Sequence, residues 1–304
     1  MLSVIIPLYN KAATIERAIN SVLNQTIQDF ELIVVNNGST DGGHETVLKI
    51  QDPRIKLVEQ NNQGVSMARN RGIEEASTDW IAFLDADDEW ETTFLETVTR
   101  LHNDYPECDV CATAYRRCNN RGEMQDIRLT HCPNENDFIM ENYFDVAANS
   151  DPPFCSISVM VRKESLQAIG GFPNGIHQGE DLLTWARLAA NYKIAYCKEP
   201  QSTFYTGETS AMDIPKRIPA DDDIVSQELE KIYNQKPIPY LDQYIAKWHK
   251  MRASIYLRLP KQAKKCRNEI CQAQHWYRNN KLIYYQILSY IPYPIRMKLL
   301  RIIQ

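Results

Sequence analysis

Short apolar runs alternate with stretches of helical period through the first third of the chain. Ser3-Val-Ile-Ile-Pro reads as a buried strand, since its near-continuous apolar character suits a parallel sheet covered on both faces. From about Ala12 to Asn24, Ile15, Ala18, Ile19, Val22 and Leu23 fall on one face of a helix. Phe30-Glu-Leu-Ile-Val-Val and Ile55-Lys-Leu-Val-Glu read as two more strands. Gly64 to Ala76 reads as a helix and Trp80-Ile-Ala-Phe-Leu as a fourth strand. This order predicts an α/β fold with a Rossmann-like, mostly parallel sheet flanked by helices. Ligands bind such sheets at the carboxyl ends of the strands. Three polar clusters fall there: Leu8-Tyr9-Asn10, Asn36-Asn37-Gly38-Ser39 and Asp85-Ala86-Asp87-Asp88. Residues 116–151 are polar and irregular, as an acceptor-side lobe would be. Ile157-Ser-Val-Met-Val-Arg reads as a further strand, Asp181 to Ala190 as a helix, and the chain from about Asp221 onward as a helical extension.

Length and composition fit a globular domain with an appendage: 304 residues, 43% hydrophobic and 24% charged. The net charge of -5 hides an asymmetry. From Ala246 to Gln304 there are thirteen Lys or Arg residues and one acid, Glu269, so the tail carries +12 and residues 1–245 carry -17. Such a split points to an anionic partner, with a membrane surface as the first candidate and no role for nucleic acid. The opening residues lack the basic region and long apolar run of a signal peptide. Leu282 to Ile295 comes nearest to a membrane span, but Gln286, Ser289, Pro292 and Pro294 interrupt it. Eight scattered cysteines suit a reducing cytoplasm. Cys108 and Cys111 form C-x-x-C, but a zinc site would want a second tight pair, and the alternation around them reads as a buried strand.

Carboxylates crowded at a strand end repel one another unless a cation neutralises them. An oxygen-only set at Asp85, Asp87 and Asp88 suits Mg²⁺ or Mn²⁺ bridging to phosphate. Taken alone, the cluster would equally cap a helix starting near Glu91. Asp221-Asp-Asp223, ahead of Ile224-Val-Ser-Gln-Glu-Leu-Glu, reads as a helix start rather than a second metal site.

Val4-Ile-Ile-Pro-Leu-Tyr-Asn, Ser21-Val-Leu-Asn-Gln-Thr and Phe30-Glu-Leu-Ile-Val-Val-Asn-Asn-Gly-Ser-Thr-Asp follow one another in an order that resembles family two of the glycosyltransferases, with the GT-A fold. Gly64-Val-Ser-Met-Ala-Arg-Asn-Arg-Gly, Phe83-Leu-Asp-Ala-Asp-Asp and Gly179-Glu-Asp-Leu-Leu-Thr-Trp-Ala-Arg-Leu-Ala continue the resemblance, which covers roughly residues 2 to 210. It implies a catalytic domain over residues 1–220, with nucleotide binding in about 1–115 and acceptor contacts in 116–220, followed by the basic helical region 221–304. It implies an inverting, non-processive transfer of one hexosyl or N-acetylhexosaminyl group from a UDP-sugar to an acceptor hydroxyl. The acceptor would be a saccharide or lipid-linked saccharide of cell-surface polysaccharide assembly, met in the cytoplasm at the inner face of the membrane.

By the same resemblance Pro7 and Tyr9 line the base pocket and Arg69 approaches the base or diphosphate. Asp85 holds ribose or base, with Ala86 beside it in the nucleotide-sugar site. Asp87 ligates Mn²⁺ or Mg²⁺, and Asp181 is the general base. Each has a plainer reading: Tyr9 as a core aromatic, Arg69 on a solvated helix face, Asp181 as a helix cap. Two departures stand out. Many members carry Asp-Asp where this chain has Asn36-Asn37, so Asn37 would accept from the base N–H through an uncharged amide oxygen. Members often show Arg and His after a Tyr near the diphosphate, where this chain has Thr206 and Glu208. The Gln-x-x-Arg-Trp of processive synthases is absent, and so is the G-x-G-x-x-G of dinucleotide oxidoreductases. Loss of Asp87 or Asp181 would signal an inactive nucleotide-sugar-binding module, and both are present; a GDP- or dTDP-sugar is the alternative donor. Tyr284 to Ile303 mixes Tyr, Ile and Leu with Arg296, Lys298 and Arg301, as an interfacial helix does, with Pro292 and Pro294 dividing it in two. The same residues would serve equally to pack on the catalytic domain or to form a homodimer contact.

Overall fold

The computed structural model describes residues 1–206, 215 and 218–303. They belong to two compact units, Met1–Gly207 and Glu208–Gln304. The division falls before the expected boundary at 220. Its physical reason is visible at Pro219 and Ala220, whose carbonyls accept hydrogen bonds from Tyr256 and Arg252 of the second unit.

The first unit opens with β1 (Leu2–Leu8), α1 (Ile15–Leu23), β2 (Phe30–Asn37), α2 (Gly43–Lys49), β3 (Ile55–Gln60), α3 (Val65–Glu75) and β4 (Trp80–Phe83). Every residue of β1 is buried. The reason is that both faces are covered: Val4, Ile6 and Leu8 join a core with Ile15, Ile19 and Val22 of α1, while Ile5 points to α3. At Gly72 of α3 a Cβ would stand 2.4 Å from Ile5 Cγ2, so the helix rests on the strand where there is no side chain. That close approach brings Arg69, one turn earlier, down to the sheet.

β5 (Glu89–Trp90), α4 (Phe94–Asp104), β6 (Val110–Cys118), β7 (Met124–Asp126), β8 (Asp137–Ile139) and α5 (Tyr143–Asn149) follow. The expected strand at Ile157 begins with a 3-10 turn, Ser156–Ser158, so β9 is only Val159–Arg162; α6 (Lys163–Ala168), α7 (Glu180–Asn191) and β10 (Ile194–Tyr205) complete the unit. The ten strands form one sheet in the order β3-β2-β1-β4-β9-β6-β10-β5, with β7 on β6 and β8 on β10. The β3-β2-β1-β4 half is parallel. β9 runs antiparallel between β4 and β6, and β6 and β10 are parallel again. Residues 116–151, read as irregular, contribute strand rungs through the end of β6, β7 and β8. Cys108 and Cys111 are buried at this β6 region, where burial pushes the Cys108 thiol up to about 11.

The second unit consists of α8 (Ile224–Gln235), α9 (Leu241–Leu257), α10 (Ala263–Trp276), α11 (Lys281–Tyr290) and α12 (Tyr293–Ile303). Asp223 is the N-cap of α8, its side chain accepting from Ser226 N at 3.1 Å, as the acidic triplet suggests. Tyr256, Leu257, Cys266, Ile270, Leu282 and Leu288 form this unit's core. Beside it lies a buried polar network: Arg252 Nε is 2.8 Å from Glu269 Oε1 and 3.1 Å from Asp223 Oδ2, and His249 Nδ1 is 2.7 Å from Glu269 Oε2. Asp223, His249 and Glu269 are close enough to hold a metal ion, but the Arg252 guanidinium already supplies the positive charge between the two carboxylates. Among the described residues no helix is long and apolar enough to cross a membrane.

Candidate active site

The three polar clusters meet at the carboxyl ends of β1, β2 and β4, because β1 pairs in parallel with both neighbours. Pro7 is buried in β1 beyond the last rung to β4, which is Ile5 with Phe83. There its missing N–H costs the sheet little. Tyr9, just past the strand, is 46% exposed, so it is not a core aromatic. Asn10 adopts the left-handed region (φ 50°), and its Oδ1 accepts from Thr40 N at 2.8 Å. This turn aims Lys11 across to β4, where Nζ lies 2.5 Å from Asp87 Oδ2.

Arg69 is only 3% exposed, which excludes a solvated helix face. Its Nη2 donates to Asp85 Oδ1 at 2.8 Å, and Nη1 lies 3.8 Å from Glu180 Oε1. The guanidinium stands 5.0 Å from the Phe172 ring centroid. Phe172 is held in turn by Asn70, whose side chain exchanges two hydrogen bonds with the Phe172 backbone, both 2.8 Å. Gly171 is required at this clamp, because its φ is +67° and a Cβ would stand 2.6 Å from Asn70 Oδ1. Burial works against the charge on Arg69, but Asp85, Glu180 and Asp181 outweigh it and hold its pKa above the ordinary value. Among the described residues Arg69 Nε and Nη1 have no hydrogen-bond partner.

Glu180 and Asp181 open α7 behind Gly179, which adopts the left-handed conformation at the N-cap. Asp181 is therefore not the cap. Its Oδ1 accepts from Leu182 N at 2.8 Å. Burial raises its carboxyl pKa, Arg69 opposes, and Asp85 adds to the rise. Glu180 is raised too, by burial and then by Asp181. Three carboxyl groups thus share one guanidinium.

The Asp85–Asp88 cluster caps no helix: β5 intervenes, and the N-cap of α4 is Thr93. Ala86 is buried beneath it. Asp88 is buried as well; burial, then Asp85 and Asp87, push its carboxyl up to about 9. Its Oδ1 accepts from Tyr205 N at 2.8 Å, at the end of β10. Arg17 lies 3.8 Å over the Tyr205 ring and donates through Nη2 to the Asp87 carbonyl at 2.5 Å, while Tyr205 donates its hydroxyl to Glu89 at 2.9 Å. The acceptor set at Asp85, Asp87 and Asp88 is all oxygen, and its mutual repulsion is expressed in the raised Asp88. On Asp87 an ammonium group stands in for a cation. Oxygen-only donors suit a hard divalent ion, but among the described residues the only three acidic or histidine side chains whose ligand atoms converge are Asp223, His249 and Glu269.

One expectation is corrected. Asn37 is 2% exposed, and its amide oxygen already accepts from Gln60 Nε2 at 2.7 Å and Gln63 N at 3.1 Å. Its Nδ2 donates to Asn62 and Gly64. Both lone pairs are used in holding the loop after β3, so Asn37 offers no free acceptor to a base. Asn36 likewise bonds Glu59 and Ser39. Thr206 donates from its backbone and hydroxyl to the Cys118 carbonyl, and Glu208 lies outside the described residues. The structure brings Pro7, Tyr9, Arg69, Asp85, Ala86, Asp87 and Asp181 to one end of the first unit. It adds Tyr205, the Tyr that precedes Thr206 in the stretch compared with the family's diphosphate contact, and Lys11 and Arg17, for which the sequence carried no signal beyond nearness to a motif.

The chain is 44% identical over 102 residues to the uncharacterized glycosyltransferase YibD of Escherichia coli (strain K12), covering 33% of this chain and 30% of that protein. The chain spans about a third of the length of several of the curated relatives it matches. Staphylococcus aureus TarS 1-349, solved in complex with UDP, superposes with a TM-score of 0.66 at 19% identity, covering 100% of this chain and 92% of that one. A mannosyltransferase of Pyrobaculum calidifontis, solved with GDP-Man and Mn²⁺, gives a TM-score of 0.56 at 18% identity, covering 98% and 86%. These two matches establish the shared GT-A fold. Residues 3–170 match the model "Glycosyl transferase family 2", more than half of the chain, and on that match the chain belongs to glycosyl transferase family 2.

Proposed function

We propose that the chain transfers one sugar from a UDP-sugar to an acceptor hydroxyl with inversion at the anomeric carbon. The observation that carries this reading is the gathering of Arg69, Asp85, Asp87 and Asp181 at one end of a parallel sheet. Tyr9, half exposed at the end of β1, is placed to stack on the base. The Arg69 fork, whose Nε and Nη1 make no hydrogen bond among the described residues although Nη1 lies 3.8 Å from Glu180 Oε1, suits the donor's base or diphosphate. Asp85 orients Arg69 and faces the nucleotide. Asp181 takes the proton of the acceptor hydroxyl as its oxygen attacks the anomeric carbon. The new C–O bond forms as the bond to the diphosphate breaks on the opposite face. Its raised pKa makes Asp181 a better base than an exposed aspartate. Asp87 is the protein ligand for Mn²⁺ or Mg²⁺, which when bound neutralises the leaving diphosphate. The acceptor is a saccharide or lipid-linked saccharide, met in the cytoplasm at the inner membrane face.

The test is UDP release from UDP-hexoses and UDP-N-acetylhexosamines, with and without EDTA, alongside competition titrations of UDP, GDP and dTDP. Metal-dependent release with UDP as the tightest ligand supports the reading. Tighter GDP or dTDP binding replaces the donor, and release undiminished by EDTA removes the cation. Binding of every nucleotide without turnover leaves an inactive binding module.

A further inference from the structure

The structure divides the apolar residues of the basic tail into two sets. Leu282 and Leu288 of α11 are buried in the helical unit's core, with Tyr284, Tyr285, Ile291, Leu299 and Leu300 packed against it. On the other face of α11, Ile283, Ile287 and Tyr290 are 48%, 58% and 69% exposed. Their spacing of four and three residues places them in one stripe along the helix. Ile295, near the start of α12, is 54% exposed. Exposed Arg278 and Lys298 flank the stripe in sequence, and the Arg267 guanidinium lies 4.7 Å from the Tyr290 ring centroid.

We propose that the Ile283–Ile287–Tyr290 face of α11 is a docking surface for an anionic lipid bilayer. The inference deepens the membrane-face location proposed above, and rests on it only for its purpose. Aliphatic and tyrosine side chains flanked by Lys and Arg are what a helix lying in the headgroup boundary presents. Charge selects the occupant. The tail carries +12; Arg252 and Arg296 are buried, but so is its single acid, Glu269, which is spent on Arg252 and His249, so the exposed charge of the tail is positive. A second copy of this face would bring like charge to like charge. A nucleic acid would match the charge but not the isoleucine stripe. An anionic leaflet matches both, with the basic residues at the phosphates and the stripe below them.

The test uses the full chain and co-sedimentation with phosphatidylcholine vesicles, with and without phosphatidylglycerol. Neither donor nor acceptor is present, so failure here is separate from failure of the transfer chemistry. The wild type is expected to bind the anionic vesicles, and at about 1 M salt, where screening reaches about 3 Å, to bind them more weakly. The variant I283S/I287S/Y290S, altered only at exposed positions, is expected to keep its circular dichroism and Tm and to bind at least about tenfold more weakly. The variant R278Q/K298Q is expected to lose part of the binding. Absence of wild-type binding, equal binding by I283S/I287S/Y290S, or equal binding to neutral vesicles would each overturn the proposal. A wild-type dimer that I283S/I287S/Y290S converts to monomer, with vesicles unbound, would make the face a self-interface instead.

Discussion

Lys11 Nζ stands 2.5 Å from Asp87 Oδ2, so the carboxylate expected to hold a divalent ion is already paired with an ammonium from the next strand end. Both groups are partly exposed, and such pairs contribute at most about 1 kcal/mol. Lys11 is thus a weak competitor that a cation can displace. Lys11→Met is expected to bind Mn²⁺ about two- to fivefold more tightly without nucleotide, measured by calorimetry or electron paramagnetic resonance. Asp87→Ala is expected to lose that binding. Unchanged Mn²⁺ affinity in Lys11→Met would show that the ammonium does not compete.

Asp181 sits behind a glycine cap with its carboxyl pKa raised, first by burial. Asp181→Asn keeps the shape and removes the base. Turnover is expected to fall roughly 10²–10⁴-fold while donor affinity stays nearly constant. The working form is the deprotonated one. The wild-type rate should therefore fall as pH drops through a pKa lying above the ordinary 3.8. Collapse of donor affinity in Asp181→Asn would make the residue a binding group.

Asp88 carries the opposite lesson about charge. Its carboxyl moves from an ordinary value of 3.8 to about 9, chiefly through burial. Below 3.8 both folded and unfolded chains hold the proton and the residue costs nothing. Between the two values the unfolded chain releases a proton that the folded chain keeps, so stability falls as pH rises across this window. Asp88→Asn removes that slope while Oδ1 still accepts from Tyr205 N. In the metal-free protein, Tm should decline less from pH 4 to 9 in Asp88→Asn than in the wild type. Parallel Tm profiles would refute a buried protonated Asp88.

Gly72 marks where α3 rests on β1. A Cβ there would stand 2.4 Å from the stiff, β-branched Ile5, which is fully buried. Alanine gains about 1 kcal/mol in helix propensity, but overpacking costs about 1–3 kcal/mol. Gly72→Ala is expected to lower Tm and, by lifting Arg69 from Asp85, to weaken UDP binding. A raised Tm with unchanged binding would show that α3 has slack.

Much of the fold was legible in the chain. β1 and β4 read correctly because a strand buried on both faces leaves an unbroken apolar run, and α1 carried helical period. Sequence also placed the polar clusters at the strand ends. It missed the antiparallel entry of β9 between β4 and β6, because a four-residue apolar strand reads the same in either direction. It misjudged the helix start near Glu91, because two residues of β5 leave no periodic signal.

By itself, then, the sequence determined the order of the elements and the kinds of chemistry at their ends. Those depend on side-chain period and residue type, which are local. Only the tertiary structure decided what each group is bonded to. Asn37 reads as a free acceptor until Gln60 and Gln63 are folded onto its oxygen. Lys11 reads as an ordinary surface lysine until the β1–β4 pairing carries it to Asp87, 76 residues away. A hydrogen bond is decided within about 3 Å, and the fold alone chooses which distant residue comes that close.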